Sequence, residues 1–221
     1  AFGRMLVFAE TDMRHVLKLA TAAAAALISL SPAQAQEKPT LTVMSYSAFA
    51  GKYGPGPKLK AAFEATCGCT LTYLATDDAA SMLARLKLEG ASSPADVVVG
   101  LDANLAADAR ETGLFAPHGL PAETASALPI KWSDDAFAPF DYGWFAFVYD
   151  KTKLANPPTS LQALIEAPAS LKIVIQDPRS SSVGLGGLLW LRAVYGDKTP
   201  EAWFKLNNKI VTVTKGWSDA Y

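Results

Sequence analysis

Apolar positions along the chain switch between two spacings. Leu41-Thr-Val-Met-Ser-Tyr46 is a short β-prone run, residues 70–75 form a second, and residues 95–100 form a third around Val97-Val98-Val99. Between them the spacing becomes helical. Leu59, Ala62 and Phe63 follow the turn Gly54-Pro-Gly-Pro57, with Pro57 suited to a first helical position, and Met82, Leu83 and Leu86 mark a helix over residues 79–89 that Gly90 stops. Continuous apolar runs fit parallel strands buried on both faces, and helical crossovers between such strands make right-handed βαβ units. The pattern predicts an α/β fold.

This rhythm breaks at residues 116–132, where Pro117, Pro121 and Pro129 stand among small residues. Phe140-Asp-Tyr-Gly-Trp-Phe-Ala-Phe-Val-Tyr149 then reads as one long aromatic strand crossing between two lobes, 36–138 and 139–221. Beyond it the alternation restarts. Asn156-Pro-Pro-Thr-Ser160 caps a short helix, residues 172–176 form a strand, 184–195 an apolar helix, 201–207 a helix opened by Pro200, and 210–214 a further strand.

The N-terminus follows a different logic. Arg14, His15 and Lys18 precede an apolar stretch from Leu19 to Leu30, and Ala33-Gln34-Ala35 supplies a small-x-small cleavage site. Residues 13–35 therefore read as a secretory signal peptide and residues 1–12 as sequence upstream of its Met13. The apolar stretch is shorter than the roughly 20 residues of a spanning helix.

Charge narrows the function classes. The 221 residues carry 20 Lys and Arg against 21 Asp and Glu, whereas a nucleic-acid footprint needs basic residues in clear excess. Nucleic acid is not an expected partner. Removal of residues 1–35 leaves His118 as the one histidine, which excludes multi-histidine zinc sites and schemes needing two imidazoles.

Several blocks carry a family resemblance. Tyr46-Ser-Ala-Phe49, Tyr53-Gly-Pro-Gly-Pro57, Cys67-Gly-Cys69, Ala95-Asp-Val-Val-Val-Gly-Leu-Asp102 and Pro139-Phe-Asp-Tyr-Gly143 are followed in order by Gln176-Asp-Pro-Arg-Ser-Ser181, Gly184-Leu-Gly-Gly-Leu-Leu-Trp190 and Val211-Thr-Val-Thr-Lys-Gly-Trp-Ser-Asp-Ala-Tyr221. Together they resemble the periplasmic thiamine-binding proteins of ABC transporters. That resemblance implies a two-lobed type II periplasmic-binding-protein fold, with parallel or mixed sheets flanked by helices. It implies a periplasmic receptor without a chemical step, closing on thiamine or its phosphates. The receptor would deliver its ligand to a membrane permease with its ATPase. Members run on for roughly another hundred residues, the usual size of two lobes, which implies that the second lobe is incomplete here.

Residue types suggest how such a ligand is held. Thiamine pairs an aminopyrimidine with a cationic thiazolium, so it suits aromatic faces, a nearby carboxylate and donors for its hydroxyethyl arm. Tyr46 ends the first strand, where an open parallel sheet presents its crevice, and Trp217 and Tyr221 follow the last strand in the same way. Asp78 precedes the helix at Ala79 and suits an N-cap. The resemblance maps two ligand contacts onto Asp78 and Ala79, where Ala79 replaces a family glycine and would crowd the ligand if its φ were positive. Ser181 and Ser182 precede the helix at Gly184, and a helix N-terminus with two hydroxyls suits an arm oxygen or a phosphate. Arg179 can pair with phosphate or with Asp177.

An oxidising destination favours a disulfide between Cys67 and Cys69. Two other classes compete with the receptor: a thiamine-degrading enzyme resembling thiaminase I, which needs a cysteine nucleophile, and a ferric-ion receptor of the same fold. A hydrolase built on Ser181 and His118 lacks the Gly-x-Ser-x-Gly elbow.

Overall fold

The computed structural model describes residues 37–125 and 129–221; the expected signal peptide at 13–35 and the residues before it lie outside them. Three parallel strands, β1 (Thr40–Tyr46), β2 (Thr70–Thr76) and β3 (Val97–Val99), form a sheet in the order β2-β1-β3. In central β1, Val43, Met44 and Ser45 are buried in succession. Burial of consecutive residues means that both faces are covered, as expected of a parallel strand. The Val run of β3 is different. It lies at an edge of the sheet among the described strands, and Val97 is exposed.

The connections are helical. After a short turn of helix α1 (Ser47–Ala50), α2 (Gly56–Cys67) starts with Pro57 in its first turn and ends at Gly68, whose left-handed φ of 64° suits glycine. Its apolar residues do not form a buried face, since Leu59 is 51% and Phe63 44% exposed. Cys67 and Cys69 form a disulfide that ties the end of α2 to the start of β2. Helix α3 (Ala79–Glu89) buries Ala79, Met82, Leu83 and Leu86 at helical spacing against Met44, and Leu105 and Ala109 complete this core with α4 (Ala106–Glu111).

The second sheet pairs β4 (Ile173–Gln176) with β5 (Ile210–Thr214), again parallel. Helices α5 (Leu161–Glu166), α6 (Ser182–Tyr195) and α7 (Thr199–Asn207) supply its core through Leu161, Leu164, Ile165, Leu191, Ala202 and Leu206. Ser160 caps α5, its hydroxyl accepting from the Ala163 N–H at 3.0 Å. A last short helix, α8 (Trp217–Ala220), follows β5.

The expected aromatic strand at 140–149 is not a strand. Extended backbone is stable only beside neighbours that take its hydrogen bonds, and none of the described strands pairs with this segment. Trp144 is accordingly 91% exposed. The segment still runs from one core toward the other: Phe140 packs edge-on to Phe49, and Phe147 lies 6.0 Å from Trp190 on α6.

Candidate functional site

Five chain segments meet where the parallel strands end. Tyr46 closes β1, Asp77 and Asp78 follow β2, Gln176 closes β4, Ser181 opens α6, and Gly216 and Trp217 follow β5. Open parallel sheets place ligand crevices at this end.

Asp78 serves two purposes. It caps α3 in a reciprocal capping box, its Oδ1 accepting from the Ala79 N–H at 2.7 Å while its own N–H donates to Ser81 Oγ at 3.0 Å. Its other carboxylate oxygen lies 2.6 Å from Ser181 Oγ. Ser181 is fully buried and caps α6, accepting from the Val183 and Gly184 N–H groups at 3.1 and 3.3 Å. Gln176 Oε1 lies 2.6 Å from the same hydroxyl. The N-termini of α3 and α6 therefore face each other, and the Ser81 N–H donates to the Ser180 carbonyl at 3.2 Å. Two helix dipoles turned toward one spot favour negative charge there. In this structure the Asp78 carboxylate supplies it.

Ser182 adds an available group. Its residue is buried, and among the described residues its hydroxyl has no hydrogen-bond partner. A buried polar atom without a partner is costly unless something else satisfies it.

The aromatic side comes from two segments, the end of β1 and the chain after β5. Trp217 and Tyr221 stack at 5.5 Å with 18° between their planes. Gly216 brings this segment against the end of β2, since a Cβ there would stand 3.2 Å from the Asp77 carbonyl oxygen. The Tyr46 ring packs over Gly100, where φ is +110° and any side chain would collide with the ring. Burial first, then the negative charges of Asp141 and Asp78, push the Tyr46 hydroxyl above its ordinary pKa and keep it a donor. A cavity of about 390 Å³ opens beside Asp78, lined by Ser47, Thr76, Asp77, Ser81 and Arg85.

Tyr46, Asp78, Ser181 and Trp217 thus lie together at the strand ends, and Tyr221 joins them through Trp217. Ala79 differs. Its methyl lies in the core and its φ is not positive, so the residue can offer only backbone at the crevice. Two participants escaped the sequence reading, Gln176 behind Ser181 and Asp141 near Tyr46. Both stand in the blocks that carried the resemblance, but nothing in residue type separated them from structural neighbours. Arg179 pairs with Asp177, forking onto both carboxylate oxygens and drawing that carboxyl down to about 2.

The remaining chemistry is committed elsewhere. Both cysteines are in the disulfide, leaving no free thiol. His118 uses both ring nitrogens, Nδ1 accepting from the Leu120 N–H and Nε2 bonding the Asp134 carbonyl. Among the described residues no three His, Cys, Asp or Glu side chains gather as metal ligands.

Parallel sheets flanked by helices, with caps and aromatics converging at the strand ends, are the architecture of the type II solute-binding fold. The model of the bacterial extracellular solute-binding protein family matches residues 92–214, more than half of the chain, and the chain belongs to that family. Among curated proteins it is 54% identical over 195 residues to the thiamine-binding periplasmic protein of Escherichia coli K12, covering 88% of this chain and 59% of that protein. Its counterpart in Brucella suis is 50% identical over 207 residues, 94% of this chain and 61% of that protein. A solved periplasmic thiamin binding protein superposes with a TM-score of 0.81 at 54% identity, over 87% of this chain and 60% of the other. The chain thus spans about three-fifths of the length of these relatives.

Proposed function

We propose that this chain is the substrate-binding component of a thiamine importer, capturing thiamine and its phosphates in the periplasm and passing them to the permease and ATPase of an ABC transporter. The observation that carries this reading is the convergence of carboxylate, stacked aromatics and two facing helix N-termini at the ends of parallel strands. The relatives' names support the choice of ligand.

Each part of thiamine has a complementary partner. The flat cation meets the faces of Trp217, Tyr221 and Tyr46, where each cation–π contact contributes about 0.5–2 kcal/mol. Asp78, with Asp141 nearby, supplies negative charge for the thiazolium and acceptors for the aminopyrimidine amine. Backbone at Ala79 borders the same spot. Ser181 and Ser182 at the start of α6 hold the arm oxygen or a phosphate, for which the helix N-terminus is suited. Residues 36–138 and 139–221 act as two lobes that close on the ligand. No bond is made or broken. A thiaminase-like reaction would need a thiol, and the disulfide leaves none.

Thiamine added to the protein is expected to quench tryptophan fluorescence saturably and to be recovered unchanged after incubation with an amine nucleophile. A flat titration would remove thiamine as the ligand. Base-exchange products that vanish in Cys67→Ser would replace the receptor with an enzyme.

A further inference from the structure

Cys67 and Cys69 enclose a single residue, Gly68. A disulfide across so short a loop removes little freedom from the unfolded chain, because the entropy it restricts grows with loop length. Little depends on it in the folded chain either, since the junction of α2 and β2 is tied again beside it. The Leu71 N–H donates to Glu64 Oε1 at 2.8 Å, the Lys60 ammonium donates to the Leu71 carbonyl, and Lys60 and Glu64 pair at 3.2 Å. The Thr70 N–H donates to the Pro39 carbonyl at 2.9 Å. Cutting the S–S bond leaves all of these in place.

The two sulfurs are not equivalent. Through the left-handed turn at Gly68, the Cys69 N–H points back at Cys67 Sγ, 3.0 Å away. A hydrogen bond to a charged acceptor outweighs the dipole of the last turn of α2, which opposes a thiolate at Cys67. Cys67 is therefore the better leaving group, and a better leaving thiolate departs faster. Both cysteines are partly exposed, and Thr66, Gly68 and Thr70 around them are exposed, which opens the bridge to a small thiol.

We propose that the Cys67–Cys69 bridge is a thiol-exchange site, opened by a dithiol while the protein stays folded. A thiolate of the dithiol attacks Cys69 Sγ, the S–S electron pair passes to Cys67 Sγ, and a mixed disulfide joins the dithiol to Cys69. The second thiolate of the dithiol then attacks its own sulfur in that mixed disulfide and releases the Cys69 thiolate. Two electrons and two protons pass to the protein, and the dithiol leaves as a disulfide. The bridge stands at the start of β2, whereas Asp78 and the crevice follow its end, so the freed thiols take no part in the chemistry of a crevice ligand. The exchange is independent of the thiamine reading.

The test is reduction of the full chain by dithiothreitol, quenched with iodoacetamide and followed by mass. Reduction in native buffer is expected within a hundredfold of the rate in guanidinium, with the far-UV circular dichroism unchanged. A larger gap would mean that the bridge opens only on unfolding, which overturns the inference. The pH dependence of alkylation assigns the sulfurs: Cys67 in Cys69→Ser is expected to reach its half-maximal rate at lower pH than Cys69 in Cys67→Ser. The same or the reverse order overturns the assignment of Cys67 as leaving group. The double serine variant is expected to melt within about 5 °C of the wild type. A larger loss, or failure to fold, makes the bridge a structural one and overturns the proposal. A thiamine titration unaltered by reduction is expected alongside, and a protein that binds no thiamine yet exchanges its disulfide would overturn the ligand reading alone.

Discussion

Asp78 and Ser181, 103 positions apart, face each other at 2.6 Å, each the N-cap of its own helix. One contact therefore joins the crevice side of β2 to that of β4. The two residues differ in what else they do, and substitutions can separate the roles. Asp78→Asn keeps an oxygen for the Ala79 N–H but removes the charge. Thiamine affinity is expected to fall tenfold or more in a calorimetric titration, and the melting temperature to fall as well, because the charge-assisted bond to buried Ser181 is lost. Ser181→Ala removes the α6 cap as well, so about 1 kcal/mol of stability should be lost along with affinity, measured by denaturant unfolding.

Trp217 stacks on Tyr221, and both lie beside the crevice. Trp217→Ala should weaken thiamine binding by roughly 2- to 30-fold, the range of one cation–π contact, and reduce the fluorescence change on binding. An unchanged dissociation constant would remove Trp217 from the site.

Asp177 bonds the guanidinium and the N–H of Arg179 and is drawn down to about 2. A carboxyl with a depressed pKa stabilises the fold above its ordinary value near 3.9, and that contribution is lost as pH falls through about 2. Asp177→Asn should therefore melt below the wild type at pH 7. Thermal melts between pH 5 and pH 2 should show the difference shrinking.

Lys209 is 4% exposed, and its ammonium donates to the Ile165 carbonyl at 2.8 Å, satisfying one of the last acceptors of α5. Lys209→Met keeps the bulk and removes the donor. The expected loss is about 1–3 kcal/mol in denaturant unfolding, with thiamine affinity unchanged because Lys209 lies in the second core, away from the crevice.

Local signals were the most readable. The spacing of Met82, Leu83 and Leu86 and the stop at Gly90 mark α3 in both sequence and structure, because a helix closes its own hydrogen bonds and buries one stripe. The same spacing predicts the helix through Leu59 and Phe63, which forms as α2, but both side chains are exposed. Residues 140–149 carry strand-forming types yet pair with none of the described strands. Propensity describes a willing segment, while a strand also needs a partner.

The site divides along the same line. Asp78 was recognisable as the cap of its helix and Ser181 and Ser182 as hydroxyls at the start of theirs, and the blocks from Tyr46 to Tyr221 pointed to the family. Their meeting was not recognisable, nor was the place of Gln176 behind Ser181. The alternation of strands and helices, the cap at Asp78, the near-neutral charge and the kinship are local or additive and can be read from residue order. Strand pairing, the turn of the Ala79 methyl to the core and the confrontation of two helix N-termini arise on folding. Those outcomes depend on hydrogen bonds and packing between residues far apart in the chain, and no local preference encodes them.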